Sequence, residues 1–370
     1  MYKFNASLMA ITDGDVVEQL VHPDVFRKIR LSNVTVEGDR LRYQDEAARV
    51  TEATAAMTDD NGVVTREFTF PAGRMTIQRD GLELLVEVFY RCPNTRGRDG
   101  ERKILRCALR DRQLDGTEAT SPLCHFPNSH PATNRLPHPE FKAAELSIYC
   151  FDPERYLPEG EMRDFIVDFD DAVYKNFDPD KFFRLWTRAF EASNMAPWQP
   201  APSLKGVAQH FVENAGRLLA RHGYHRMDAV CGFYNVAEFF IDRMGFTFTY
   251  GEHQAAFAAL QAALKQLESR AGRHLNPREA AWVVALQNIP AEFIPERLRL
   301  GVRWFNSPTD TSYVCRLHKE LNPFPTDPRV ASLTLPALFA PPCPAEPTPD
   351  TAGGSTVTAA QPASNPAPAK

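Results

Sequence analysis

One stretch near the middle of the chain, from Ser203 to Tyr250, has the most regular pattern of apolar residues. Apolar side chains recur at helical spacing from Gly206 to His222. A Gly follows them, which favours a helix end because Gly adopts the left-handed conformation at low cost. A short apolar run, a second amphipathic segment and an alternating Phe-Thr run come next. The stretch therefore predicts the order helix, strand, helix, strand.

Length and composition narrow the class of protein. A chain of 370 residues suggests about two domains, and 43% hydrophobic with 24% charged residues allows an ordinary core. A net charge of −5 argues against general binding of nucleic acids, which favours a basic excess. Seven Cys residues without a C-x-x-C pair favour a reducing compartment. Because neither a secretory leader nor a long apolar run is visible, we expect a cytoplasmic protein without a membrane partner.

Four regions follow one another along the chain. Residues 1–120 contain short strand-like runs between turn signals, which predicts a β-rich domain. Residues 121–202 contain a Pro/His-rich loop, an acidic segment and an amphipathic helix, and residues 203–330 predict an α/β domain. Residues 331–370 lose apolar periodicity and end in Pro, Ala, Thr and Ser, which predicts a disordered tail. The expected fold class is α+β, with a β-rich N-terminal part before the α/β part.

Three local patterns give sharper expectations. Residues Glu83 to Tyr90 are the strongest single strand signal, and the polar residues 93–103 after them predict an exposed loop. Residues Asp180 to Ala192 predict an amphipathic helix, with Asp180 placed to cap its first turn. Residues 246–250 and 311–317 each predict a short strand.

The Pro/His-rich loop contains four residues that could bind a metal, namely Cys124, His125, His130 and His138. Zinc sites use tighter pairs of ligands than this spacing provides. A long loop in which Pro excludes regular structure explains the same composition. We therefore expect no metal cofactor.

The central stretch resembles the acyl-CoA-binding half of the GNAT acyltransferase family. In that family a loop of the type Gln/Arg-x-x-Gly-x-Gly/Ala opens a helix and holds the pyrophosphate of CoA. Backbone N–H groups at a helix N-terminus bind anions, and Gly allows close approach. The matching residues, which the resemblance implies as the cofactor site, are Ser203, Lys205, Gly206, Val207 and Ala208.

The resemblance, which covers residues 203–250, implies an N-acyltransferase that uses acetyl-CoA or another acyl-CoA and an amine acceptor. Attack of an amine on a thioester needs an oriented amine and an acid for the leaving thiol. Tyr234 is the residue near the family's acid position that can donate a proton, and Cys231 is the candidate nucleophile for a covalent route. The family has a strand directly before its phosphate loop, whereas the Pro-rich residues 195–202 stand there in this chain.

The alternative is a non-catalytic interaction or scaffold protein in a larger cytoplasmic assembly. Its support is compositional, since 25 Phe residues and a long polar tail suit protein partners. The two hypotheses differ in one simple property. An acyltransferase must bind acyl-CoA, and a scaffold need not.

Overall fold

The computed structural model describes residues 8–60, 62–80, 82–92, 100–112, 141–192, 195–304 and 315–323. The metal-ligand candidates Cys124, His125, His130 and His138 lie outside these residues, as does the predicted tail at 331–370.

The helices of this part of the chain are α1 (Asp13–Asp15), α2 (Pro23–Lys28), α3 (Glu161–Val167), α4 (Pro179–Ala192), α5 (Val207–Arg221), α6 (Tyr234–Asp242), α7 (Gly251–Ala271) and α8 (Pro277–Leu286). Single wider π turns follow α1 and α3, at Val16–Leu20 and Asp171–Lys175. Short 3₁₀ turns lie at Pro153–Arg155, Ala291–Phe293 and Glu296–Leu298.

The strands are β1 (Ser32–Glu37), β2 (Arg40–Gln44), β3 (Val50–Thr54), β4 (Ala56–Asp60), β5 (Val63–Phe70), β6 (Gly73–Arg79), β7 (Glu83–Arg91), β8 (Glu101–Asp111), β9 (Ala143–Cys150), β10 (Arg226–Cys231), β11 (Thr247–Phe248) and β12 (Cys315–Glu320). Strands β1 to β3 form a small antiparallel sheet. The other nine form one sheet in the order β11-β12-β10-β9-β8-β7-β6-β5-β4. The predicted combination of sheet and helices is confirmed as a mixed α/β architecture.

The large sheet joins regions that the sequence separates. Its β4 to β8 come from residues 1–120, β9 comes from 121–202, and β10 to β12 come from 203–330. Neighbouring strands are antiparallel except β9 and β10, which are parallel. A parallel pair needs a crossover connection, and residues 151–225 with helices α3, α4 and α5 provide it.

The two faces of the large sheet differ in chemistry because side chains alternate along a strand. On one face, apolar residues of β7 to β10 such as Val86, Cys107, Leu146 and Met227 are buried. Helix α5 and the turn Val16–Leu20 pack in the same core. The opposite face carries charged residues, including Glu87, Arg106, Glu145, Asp228 and Arg316. One sheet therefore has an apolar face under helices and a polar face.

A second apolar core lies within the crossover and α8. Phe165, Phe169, Phe182 and Trp282 form a cluster of aromatic rings whose centroids are 5.5–6.2 Å apart. The Trp282 N–H donates to the Met195 carbonyl oxygen at 2.9 Å. This core holds α3 and α4 against α8, so the crossover is a packed layer.

The structure corrects three local expectations. Residues 101–103 begin β8 and are not part of an exposed loop. Asp178, not Asp180, caps α4, because its Oδ1 accepts the Lys181 N–H at 3.1 Å. The strand expected at 246–250 contains only Thr247–Phe248, since α7 begins at Gly251.

Candidate functional site

The parallel strands β9 and β10 separate at their carboxyl ends. Their pairing runs from Ala143 with Arg226 to Leu146 with Ala229 and then stops. Both strands continue, β9 to Cys150 and β10 to Cys231. Backbone groups of adjacent residues point to opposite sides of a strand, and the Phe151 N–H bonds toward β8. The backbone groups of Ile148 and Cys150 therefore face the opening between the two strands.

Helix α5 begins beside the carboxyl end of β9. The Cys150 thiol approaches the Leu204 carbonyl oxygen at 3.9 Å, just before the first turn. Gly206 precedes the helix with φ of +80°, in the left-handed region. No acidic residue lies in the first turn, and Ser203, Lys205 and Gly206 are exposed. The helix end thus presents N–H groups and one cation to solvent, an arrangement suited to an anion.

Two histidines from distant parts of the chain lie next to this helix end. A Cβ atom at Gly206 would lie 4.0 Å from His22 Nε2. The His22 and His210 rings meet edge to face, with centroids 4.8 Å apart. Burial lowers the pKa of both imidazoles, with Arg27 adding to the effect at His22 and His22 at His210. Both rings are therefore neutral at pH 7 in the absence of an anion.

The predicted cofactor residues are brought to one place, although two of them face the protein interior. Val207 is buried and Ala208 is half-buried, so only their backbone groups can face a ligand. Their position at the start of α5 follows from helical periodicity. His22 could not be found from local sequence, because its contact with Gly206 joins elements 184 positions apart.

The Pro-rich residues 195–202 border the opening. Trp198 stacks on Phe233 at a centroid distance of 4.3 Å, directly after β10. On the other side, the Asp152 N–H beyond β9 donates to the Pro202 carbonyl oxygen at 2.8 Å. The segment therefore touches the carboxyl end of each strand. It limits how far a ligand can extend in this direction.

Tyr234, the candidate acid, is the first residue of α6. Its ring stacks on Phe257 at 5.3 Å and meets Trp304 edge to face. Its hydroxyl donates to Glu238 Oε1 at 3.0 Å. Burial raises the pKa of Tyr234, and the neighbouring Glu238 carboxylate raises it further. The phenol therefore keeps its proton at neutral pH and is a weaker acid than an ordinary tyrosine.

Cys231, the candidate nucleophile, is fully buried at the end of β10 opposite Cys315. Burial raises the pKa of its thiol well above the ordinary value, and Cys315 adds to the effect. The thiolate is the reactive form of cysteine. This environment disfavours a nucleophilic role for Cys231.

The polar face of the sheet carries a charged cluster beside the same opening. Arg112 Nη1 lies 2.7 Å from Glu145 Oε2, and Arg226 Nε lies 2.7 Å from Asp228 Oδ1. Glu145 and Asp228 are register partners in the last paired part of β9 and β10. Arg316, on β12, is opposite Val230, the residue at which the strands have separated. No local sequence pattern indicates this cluster, because its members come from three strands and from the end of a fourth.

The described ranges contain neither a metal-binding cluster nor a membrane-spanning helix. No group of three or more His, Cys, Asp or Glu residues in them could hold a metal ion. No helix in the same ranges is both long and apolar enough to cross a bilayer. Comparison of the chain with protein-family models, with curated proteins and with solved structures found no match.

Proposed function

We propose that this protein is an acyl-CoA-dependent N-acyltransferase with a GNAT-like arrangement of its central sheet. The observation that carries the proposal is the early end of the β9 and β10 pairing, with the N-terminus of α5 beside β9. An extended ligand can hydrogen-bond along unpaired strand edges, and its phosphates can bind at the helix end. CoA combines an extended, amide-containing arm with a pyrophosphate, so it matches both parts.

Strand β9 supports the resemblance in another way. The family has a strand directly before its phosphate loop, and the sequence has Pro-rich residues there. We infer that β9, which lies beside the start of α5, takes the role of that strand, with residues 151–206 between the two in sequence. The proposed binding elements are thus separated in sequence and adjacent in space.

In the proposed reaction the amine nitrogen attacks the thioester carbonyl carbon. The carbon–sulfur bond breaks, the nitrogen releases a proton to water as the amide forms, and the thiolate of CoA takes a proton. Tyr234 is the proposed proton donor because the resemblance implies an acid near this position, and its hydroxyl carries a proton that Glu238 Oε1 accepts in the structure. Cys231 is given no step. Replacing Tyr234 by Phe is expected to lower kcat more than it changes KM, whereas Tyr174→Phe, at a half-exposed ring, leaves both unchanged.

Calorimetric titration with CoA tests the binding site directly. Lys205→Ala should weaken CoA binding roughly tenfold, since a charged hydrogen bond contributes about 1.5–3 kcal/mol. Lys265→Ala removes an exposed Lys from α7 and is the matched control, which should bind CoA as the wild type does. Gly206→Val should abolish binding, because a β-branched side chain would stand at the exposed helix end.

Absence of CoA binding by the folded wild type would end the acyltransferase proposal. The interaction or scaffold hypothesis would then remain. Its partners would be proteins, and co-purification from cells would be the next experiment.

A further inference from the structure

Arg316 has an unusual environment for an arginine. The residue is 6% exposed, and its Nη2 atom is buried without a hydrogen-bond partner. Within the described part of the chain, its guanidinium forms no ion pair. A buried charge is expensive unless it is paired. Burial and the neighbouring Arg112 lower the pKa of Arg316, and the more distant carboxylates of Glu145 and Asp228 offset this only in part.

The backbone around Arg316 is fixed. Its N–H donates to His253 Nδ1 at 3.1 Å, and its carbonyl oxygen accepts the Thr249 N–H at 3.0 Å. His253 is buried, and burial lowers the pKa of its imidazole, which keeps Nδ1 available as an acceptor. Both bonds lie on the β11 side of the strand, and β10 pairs with its other side. Such a side chain is prepared to bind a ligand without reorganisation of the chain.

The charges around Arg316 leave a surplus of one. Arg112 is paired with Glu145, and Arg226 is paired with Asp228. The cluster around Arg316 therefore contains three guanidinium groups and two carboxylates, which gives a formal charge of +1. Farther along the same face, Arg106 lies beside Glu87 and Arg110 beside Glu83. That surplus matches a monoanion better than a phosphate, which carries up to two negative charges at neutral pH.

The location of Arg316 connects it with the proposed reaction. Residues directly opposite each other in a sheet share a face, so Arg316 lies on the same face as Val230. Asp228 and Glu145 share this face, and Ser147 continues it along β9 beyond the last paired residue. The guanidinium is thus next to the opening in which the thioester would lie.

We propose that Arg316 binds a carboxylate of one of the two substrates. Guanidinium and carboxylate match in geometry and form two parallel hydrogen bonds. The inference rests on the proposed acyltransferase function and adds a substrate class to it. The carboxylate belongs either to the amine acceptor, which is then an amino acid, or to a dicarboxylic acyl group on CoA.

The first arm of the test compares acids with their amides. The wild type is screened by thermal shift with the standard L-amino acids and with the corresponding C-terminal amides, and the hits are titrated by calorimetry. If the acceptor supplies the carboxylate, an amino acid binds and its amide does not. Arg316→Met should lower that affinity at least roughly tenfold. Arg243→Met removes an exposed arginine and should leave the affinity unchanged.

The second arm compares two acyl groups on the same carrier. If the acyl group supplies the carboxylate, succinyl-CoA binds the wild type more tightly than acetyl-CoA, and Arg316→Met removes the difference. Equal binding of acids and amides together with equal binding of both thioesters would overturn the proposal. The proposal would also be overturned if Arg316→Met still distinguished acids from amides, or succinyl-CoA from acetyl-CoA, as the wild type does.

Two further measurements separate this proposal from folding defects and from the proposed function. Without ligand, Arg316→Met should melt at or above the wild-type temperature, because it removes an unpaired buried charge. A lower melting temperature that Arg316→Lys restores would show that the charge is paired within the protein, and would contradict the inference. Titration with CoA itself should be unchanged in Arg316→Met. A wild type that binds CoA but does not distinguish acids from amides, or succinyl-CoA from acetyl-CoA, would therefore refute only the role of Arg316.

Discussion

Gly206 has a φ of +80° where the chain enters helix α5, and few residues other than Gly tolerate that angle. From sequence alone, a Gly in a first helical turn should gain slightly from replacement by Ala, since Gly lowers helix stability by roughly 0.5–1 kcal/mol. The left-handed conformation reverses this expectation. The left-handed backbone at this position requires a residue without a Cβ atom. The same lack of a Cβ atom allows an anion to approach the backbone closely.

Replacing Gly206 by Ala should therefore lower the free energy of unfolding by about 1 kcal/mol. The control is Gly251→Ala at the start of α7, where no positive φ occurs and an added Cβ atom meets nothing within 4 Å. That variant should be neutral or slightly stabilising. Urea denaturation of both proteins measures the difference, and equal midpoints would contradict the argument.

Asp111, at the end of β8, is a second residue whose behaviour follows from its surroundings. Burial raises the pKa of its carboxyl to about 6, against 3.8 in the unfolded chain. Because the folded pKa is the higher one, the protonated form favours folding, and stability falls as the pH rises from about 4 through 6. Over the whole range, the free energy of unfolding falls by about 3 kcal/mol.

The variant Asp111→Asn has no carboxyl to ionise at this position. We expect it to be more stable than the wild type at pH 7.5 and close to it at pH 4. Denaturation curves at the two pH values give the comparison. If the difference in unfolding free energy between the two proteins does not change with pH, Asp111 is not the group that makes stability depend on pH.

At the scale of elements, the crossover between β9 and α5 depends on α8. Trp282 is fully buried among the rings of α3 and α4 and donates its N–H to Met195. The amphipathic pattern of residues 180–192 indicates that one side of α4 is buried. It does not indicate which element covers that side. Helix α8 begins 85 residues after the end of α4, so local sequence cannot identify it.

Truncation of Trp282 tests this packing. Trp282→Ala should lower the free energy of unfolding by about 3–5 kcal/mol, and Trp282→Phe by less, since the ring remains and the hydrogen bond is lost. Phe293→Leu, at a ring that is 40% exposed, should change it by no more than about 0.5 kcal/mol. Similar losses of unfolding free energy in Trp282→Ala and Phe293→Leu would mean that α8 does not stabilise the crossover.

At the scale of the whole described fold, one sheet connects β4 to β11. The paired strands β8 and β9 lie at its centre and join the N-terminal strands to β10, β12 and β11. Unfolding one side would expose the edge and the core of the other. We therefore expect one cooperative unfolding transition in urea, with coincident curves from tryptophan fluorescence and far-ultraviolet circular dichroism. Two separated transitions would show that the β-rich part and the α/β part fold independently.

The sequence by itself determined the local elements of the central stretch. Apolar periodicity and a following Gly predict a helix over 206–222, a strand over 227–233 and a helix over 236–244, and α5, β10 and α6 begin and end within two residues of these bounds. Alternation between turn residues predicts strands over 64–70, 75–79 and 83–90, which match β5, β6 and β7. The proposed phosphate-binding residues around Gly206 came from the resemblance to the GNAT family, not from periodicity.

Only the tertiary structure decided which elements meet. Strand β9 pairs with β10 across more than seventy residues, and His22 reaches Gly206 from the N-terminal part of the chain. Arg316 gives no local signal, since its importance depends on burial and on which charges its neighbours already neutralise. Periodicity tells which side of an element is apolar. The partner of that side depends on the packing of all the elements together, because side chains distant in sequence compete for the same contacts.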